Sequence, residues 1–175
     1  MIWVRPYDDL AALAVLQRLD PSDHLEAEMS RGAPATPLAL WADWRAMQGI
    51  CARSHVAFTS PARGSRPFAV FAVLRVGAGL GEAALLARDH AAFRRPLSEL
   101  AVAIRAGLPP WAAEAGLHRI SARSWAGHPT AAGLLTALGF DHECDMPGFG
   151  ASGTVTFRQF AWIAPACRPP HGTRI

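Results

Sequence analysis

The side chains able to do chemistry are few and scattered along the sequence. Three arginines, Arg88, Arg94 and Arg95, flank the start of a helical stretch, where side chains of this type can bind phosphate. Ala91 lies between them and is small enough for close backbone approach. His128 sits in a break before a short helix, where an imidazole can cap the helix or hand on a proton near neutral pH. Asp23 and Glu26 fall early in another helix, where carboxylates also complement the helix dipole. Glu82 follows Gly81 at a turn. Other constellations are missing. Ser54-His55 and His118 have no GxSxG or Cys/His pattern around them. No P-loop is present, and His24 and His142 have no helix-spaced ligand partners. The three cysteines, Cys51, Cys144 and Cys167, are far apart and lack metal-ligand spacing, so no metal site is expected.

These side chains are positioned by the stretch from His118 to Phe140, HRISARSWAGHPTAAGLLTALGF. Arg119–Arg123 alternates as a strand does. Ser124–His128 is a break, and 129–138 has helical spacing with Leu134, Leu135 and Leu138 on one stripe. Gly139 suits the left-handed position beyond the helix end, and Phe140 turns back to the core.

Upstream, Ile2–Arg5 reads as a strand ending at Pro6. Asp8 or Asp9 caps a helix through Leu19 with Leu10, Leu13, Leu16 and Leu19 as its apolar face. Helices over 22–30 and 37–47 follow. The period then changes from 3.6 to 2, giving strands over 50–59, 67–76 and 82–87. The apolar run PFAVFAVLRV suits a central strand covered on both faces. Pro96 opens a helix through Arg105, Gly107–Pro110 breaks it, and 111–115 adds a turn. The last strands are 141–146 and 154–163. The order β α α α β β β α β α β β predicts an α/β (α+β) domain over 1–163, with a mixed, mostly antiparallel sheet of about seven strands flanked by helices. Residues 164–175 form a Pro-rich tail expected to be loose.

The totals fit one domain of 175 residues. The chain has no lysine, so its 17 basic residues are all arginines. A net charge of +3 is too small to argue for nucleic acid. No apolar run reaches the roughly 18 residues of a membrane helix, and MIWVRPYDDL lacks a signal pattern. Reduced thiols in a cytoplasmic setting are expected. Trp41, Trp44 and Trp111, each following a Pro-containing stretch, are either core residues or partner anchors.

The element order, with the close A-x-x-L-L-x-x-L-G-F at Ala131–Phe140, resembles the GNAT acyltransferase fold over about residues 1–163. Within it the chain is similar to acetyltransferase-like internal virion or assembly proteins of tailed phages. The shared features are Arg5-Pro6 with Asp8 and Asp9, Asp23 with Glu26, the turn of Gly77, Gly79 and Gly81, and Phe93-Arg94-Arg95 in place of a Gly-rich loop. The resemblance implies acetyl-CoA as donor, with Arg88, Ala91, Arg94 and Arg95 around its diphosphate. It implies Glu82 as general base and places His128 where an Asn usually opens the late helix. Three usual parts are altered. The glycines that aim backbone N–H groups at the diphosphate are absent, and Phe93 is expected to leave no room for phosphate. Leu135 stands where a Tyr acts as general acid, and the only tyrosine is Tyr7. The implied function is a virion or assembly protein with a degraded acetyl-CoA site, in host cytoplasm or within a virion. The alternatives are an active N-acetyltransferase on a small-molecule or protein amine, and an acyl-CoA-binding domain without turnover.

Overall fold

A computed structural model describes residues 1–168. Seven strands form one sheet: β1 (Ile2–Pro6), β2 (Cys51–Thr59), β3 (Pro67–Gly77), β4 (Leu80–Ala87), β5 (Arg119–Trp125), β6 (Asp141–Phe149) and β7 (Val155–Ile163). Their spatial order is β1-β2-β3-β4-β5-β7-β6. All neighbours are antiparallel except β4 and β5. Five helices complete the domain: α1 (Asp9–Leu16), α2 (Pro21–Arg31), α3 (Pro37–Met47), α4 (Arg94–Glu114) and α5 (Ala131–Leu138). No described helix is long and apolar enough to cross a membrane.

The alternation of β3 explains the two layers. Val70 and Ala72 face α1 and α3, packing with Val15, Leu16, Leu40 and Trp44. Ala69 and half-buried Phe71 pack with Phe93 and Leu100 of the α4 side, and Phe68 joins them because the β2–β3 register is irregular at that point. The strand is thus covered on both faces, as its unbroken apolar run requires. Burying a side chain such as Leu16 contributes about 1.5–3 kcal/mol. A third cluster joins α4 and α5 to β5 and β7 through Leu108, Trp111, Leu138, Phe140 and Trp162.

Several expectations need correction. α1 ends at Leu16, not Leu19, and buries Ala12, Val15 and Leu16, leaving Leu10 exposed. Two faces of this short helix are apolar, so spacing alone did not choose between them. α4 starts at Arg94 and runs unbroken through Gly107, Pro109 and Pro110. Both prolines are exposed, while Leu108 and Trp111 are buried beside them and hold the last turns in place. Tertiary packing outweighs the helix-breaking tendency there. β5 extends to Trp125, and α5 begins only at Ala131. Trp44, Trp111 and Trp162 are core residues, and Trp41 is half-buried with its indole N–H donating to the Asp9 carbonyl at 3.1 Å. Trp3 is the exposed one, on edge strand β1. Other expectations hold: α3 spans Pro37–Met47, Gly139 adopts φ 94° past α5, and Phe140 is buried. Cys51, Cys144 and Cys167 are free thiols. Pro165–Cys167 forms a short 3-10 turn, and the tail beyond 168 lies outside the described residues.

The β3–β4 hairpin carries one strict backbone requirement. Gly79 has φ 71°, and its carbonyl accepts from the amides of His118 (2.9 Å) and Arg119 (3.2 Å). A Cβ there would stand 2.1 Å from the His118 imidazole. Gly79→Ala is therefore expected to destabilise the fold by about 1–3 kcal/mol, through the left-handed backbone and the displaced ring. Thermal unfolding of the variant against wild type measures this.

Candidate active site

β4 and β5 pair in parallel only over Leu80–Glu82 with Arg119–Ser121. Beyond that point β4 stays on β3 and β5 stays on β7, so the two strands part. A cleft of about 760 Å³ opens between them. It reaches from α2 and α3 on one side of the sheet to a groove between α4 and α5 on the other. Leu85, Ala122 and Phe157 line its middle, and Leu97, Ile104 and Leu134 line the groove.

Parting two parallel strands leaves backbone N–H groups without ladder partners. Helix α2 answers two of them. Asp23 and Glu26 lie three residues apart, on one helix face. Asp23 Oδ2 accepts from the Ala87 amide of β4 at 2.6 Å, and Glu26 Oε2 accepts from the Trp125 amide of β5 at 2.8 Å. α2 thus spans the open end of the split. The two-residue period turns the Leu85 amide to the same side as that of Ala87, beyond the last β4–β5 pair.

The other oxygen of Asp23 gathers two imidazoles. Its Oδ1 lies 2.9 Å from His128 Nε2 and 3.0 Å from His90 Nε2. His128 Nδ1 accepts from the amides of Ala131 (3.0 Å) and Thr130 (3.3 Å), so this ring caps α5. With Nδ1 an acceptor, the hydrogen-bond network assigns the proton to Nε2, which donates to Asp23. His90 Nδ1 lies 2.9 Å from the Thr130 hydroxyl. Burial pushes the Asp23 pKa up, but hydrogen bonds from His128, His90 and the Ala87 amide outweigh it and hold the carboxyl below its ordinary 3.8. Burial also opposes charge on His90, yet the Asp23 hydrogen bond and the Asp23, Asp20 and Asp89 carboxylates raise its pKa above 6.5. Burial dominates at Glu26 and raises its pKa above 4.5, against the Trp125 amide bond and His128.

Asp23, His90 and His128 are the donor types of a metal site, with ligand atoms within 4.8 Å of one another. Their hydrogen bonding argues against that role. His128 Nδ1 receives backbone amides and Nε2 carries the proton, so neither nitrogen offers a lone pair to a metal.

Three solved structures share this architecture at low sequence identity. A GNAT-family acetyltransferase from Bacillus anthracis superposes with TM-score 0.69 at 14% identity, over 93% of this chain and 94% of that one. A phosphinothricin acetyltransferase from Sinorhizobium meliloti in complex with AcCoA gives 0.65 at 13%, over 98% and 94%. The ribosomal-protein-S5-alanine acetyltransferase from Vibrio fischeri gives 0.62 at 14%, over 96% and 96%. The chain has the GNAT fold. No protein-family model and no curated protein sequence matches it.

Acetyl-CoA is bound in the Sinorhizobium meliloti structure, and its parts can be compared with this cleft. For an acyl thioester the cleft offers open strand edges beside an apolar groove. In the loop after β4, the Arg88 amide donates to the Phe68 carbonyl, His90 to Asp20 Oδ2, Ala92 to Asp89 Oδ1 and Phe93 to the Asp89 carbonyl. Four of the loop's amides are thus already paired within the protein and are not free for a phosphate.

The predicted site residues separate accordingly. Glu82 lines the cleft at the last parallel pair, ion-paired with Arg123. His128 lines it too, buried, as a capping group. Arg94 faces the cleft. Arg88 does not: its guanidinium donates to the Pro67 carbonyl at 2.9 Å and lies over the Phe93 ring. Arg95 pairs with Glu99, one helical turn on, and Ala91 is exposed beside the cleft rather than lining it. Phe93 does not crowd a phosphate, because it is buried and stacked on Phe68 in the core. Tyr7 packs with the α1–α3 cluster. His90 was not singled out by the sequence, since nothing local distinguishes it. Ser124 was missed as well: its hydroxyl is buried among the residues lining the cleft and has no protein partner.

Proposed function

We propose that this protein is an N-acyltransferase that moves an acyl group from a thioester to an amine in the β4–β5 cleft. The observation that supports this most directly is the split sheet itself. It joins two unpaired strand edges, an apolar groove and a buried acid–imidazole cluster in one cavity. Glu26 is the group best suited to act as general base. Its carboxyl lies on the cleft wall with one oxygen on the Trp125 amide, and its raised pKa makes it a stronger proton acceptor than an ordinary glutamate. In the reaction the amine nitrogen bonds to the thioester carbonyl carbon, Glu26 takes the amine proton, the carbon–sulfur bond breaks, and the leaving thiolate is protonated from water. Asp23, His90 and His128 are positioning residues: they tie α2, the loop after β4 and the start of α5 around the reacting space.

Thiol release from an acyl thioester, followed colorimetrically with a panel of small amines and an N-terminal peptide amine, tests the reading. Amine-dependent release supports it. Release at the no-amine rate throughout the panel overturns it.

Four paired amides in the 88–93 loop are compatible with a second reading, a degraded acetyl-CoA site, to which the sequence resemblance adds a virion or assembly role. Under it, partners are other particle proteins, and purified chain shows no thioester binding at all.

A further inference from the structure

The mismatch between the cleft and a nucleotide diphosphate has a specific consequence for the donor. We propose that the cleft recognises its acyl thioester at the level of the pantetheine arm and makes no productive contact with an adenosine diphosphate. The inference rests on the acyltransferase reading and narrows it.

Three observations carry it. First, four amides from Arg88 to Phe93 are hydrogen-bonded within the protein, at 2.9–3.0 Å. Binding a diphosphate there would require breaking those bonds and rebuilding a loop whose shape is set by buried, stacked Phe93. Second, carboxylates already hold the loop's amides. Asp89 caps the Ala92 amide just before α4, and Asp20 holds both the His90 and Ser22 amides. Two carboxylates therefore stand against these amides, and each repels an anion brought to them. Among the loop's own cations, Arg88 donates to the Pro67 carbonyl, Arg95 pairs with Glu99 and His90 with Asp23, while Arg94 faces the cleft. Third, what a pantetheine thioester needs is present. The Leu85 edge of β4 offers strand-type hydrogen bonding to its amides. The groove lined by Leu97, Ala101, Ile104, Leu134 and Leu138 offers apolar cover to the arm or the acyl chain. The arm can come as a free pantetheine thioester or on a carrier protein.

Calorimetric titration of the full chain with S-acetyl-pantetheine, acetyl-CoA and an acetylated carrier protein tests this. The expected result is dissociation constants for acetyl-pantetheine and acetyl-CoA equal within about threefold, with no loss of acetyl-CoA affinity at raised salt. Tighter binding of the carrier protein identifies the protein-borne source, and equal binding identifies the free arm. Acetyl-CoA binding about tenfold or more tighter than acetyl-pantetheine overturns the inference and leaves the acyltransferase reading standing. Binding of neither small thioester nor the carrier removes both. Asp89→Gly is a gain-of-function check, since it frees the Ala92 amide and removes a carboxylate. It is expected to tighten acetyl-CoA by about threefold or more with acetyl-pantetheine unchanged. A folded variant that changes neither affinity overturns the role given to the loop.

Discussion

Glu26→Gln is expected to lower amine acylation by about 10²–10⁴-fold, the range for loss of a positioned general base, with no fall in melting temperature. Glutamine keeps a carbonyl oxygen for the Trp125 amide and removes only the proton-accepting carboxylate. Because burial raises the Glu26 pKa in the folded state, the linked stability is present below the unfolded value and is lost as pH rises through the folded one. The neutral variant avoids that loss, so its melting temperature at pH 8 should equal or exceed wild type. The wild-type rate should climb with pH through a point above 4.5 and then level off, and this rise should vanish in the variant. Steady-state rates across pH, beside thermal melts on the same samples, check both halves. A variant with full activity would move the base to another group.

Asp23→Ala is expected to cost about 2–4 kcal/mol of stability, roughly 4–16 °C in Tm for a chain of this size. The substitution leaves the Ala87 amide and both imidazoles without their acceptor in a buried place. It also removes two opposed pH dependences. The lowered Asp23 pKa gives stability present above 3.8 and lost as pH falls through the folded value. The raised His90 pKa gives stability present below 6.5 and lost as pH rises through its folded value. The wild-type stability curve should therefore be highest between these limits, and the Asp23→Ala curve flatter. Denaturant unfolding at a series of pH values measures the difference. An unchanged curve would mean that the cluster is not a structural keystone.

Much of the fold was legible because local rules and tertiary demands agree. Apolar periodicity marked α3 and the doubly covered β3, and Gly139 with Phe140 marked the close of α5. Pro109 and Pro110 misled because the burial of Leu108 and Trp111, which holds α4 together, depends on residues far along the chain. The tryptophans were ambiguous for the same reason: composition carries no information on which face of an element meets the core.

The site divides in a similar way. Glu82, His128 and Arg94 were visible as chemistry-bearing residues and do line the cleft. Arg88 was visible too, but a backbone carbonyl and an aromatic face from other segments decide where its long side chain points. By itself, the sequence determined a mixed, mostly antiparallel sheet of about seven strands, a short late helix ending at a left-handed glycine, and a loop without glycines after β4. Only the tertiary structure decided that Asp23, His90 and His128 converge, that Glu26 reaches the free edge of β5, and that Asp20 takes the His90 amide of the loop. The reason is physical: Asp20 meets the His90 amide 70 positions on, Glu26 the Trp125 amide 99 positions on and Asp23 the His128 ring 105 positions on, and the parted strands that draw them together exist only once the sheet has formed.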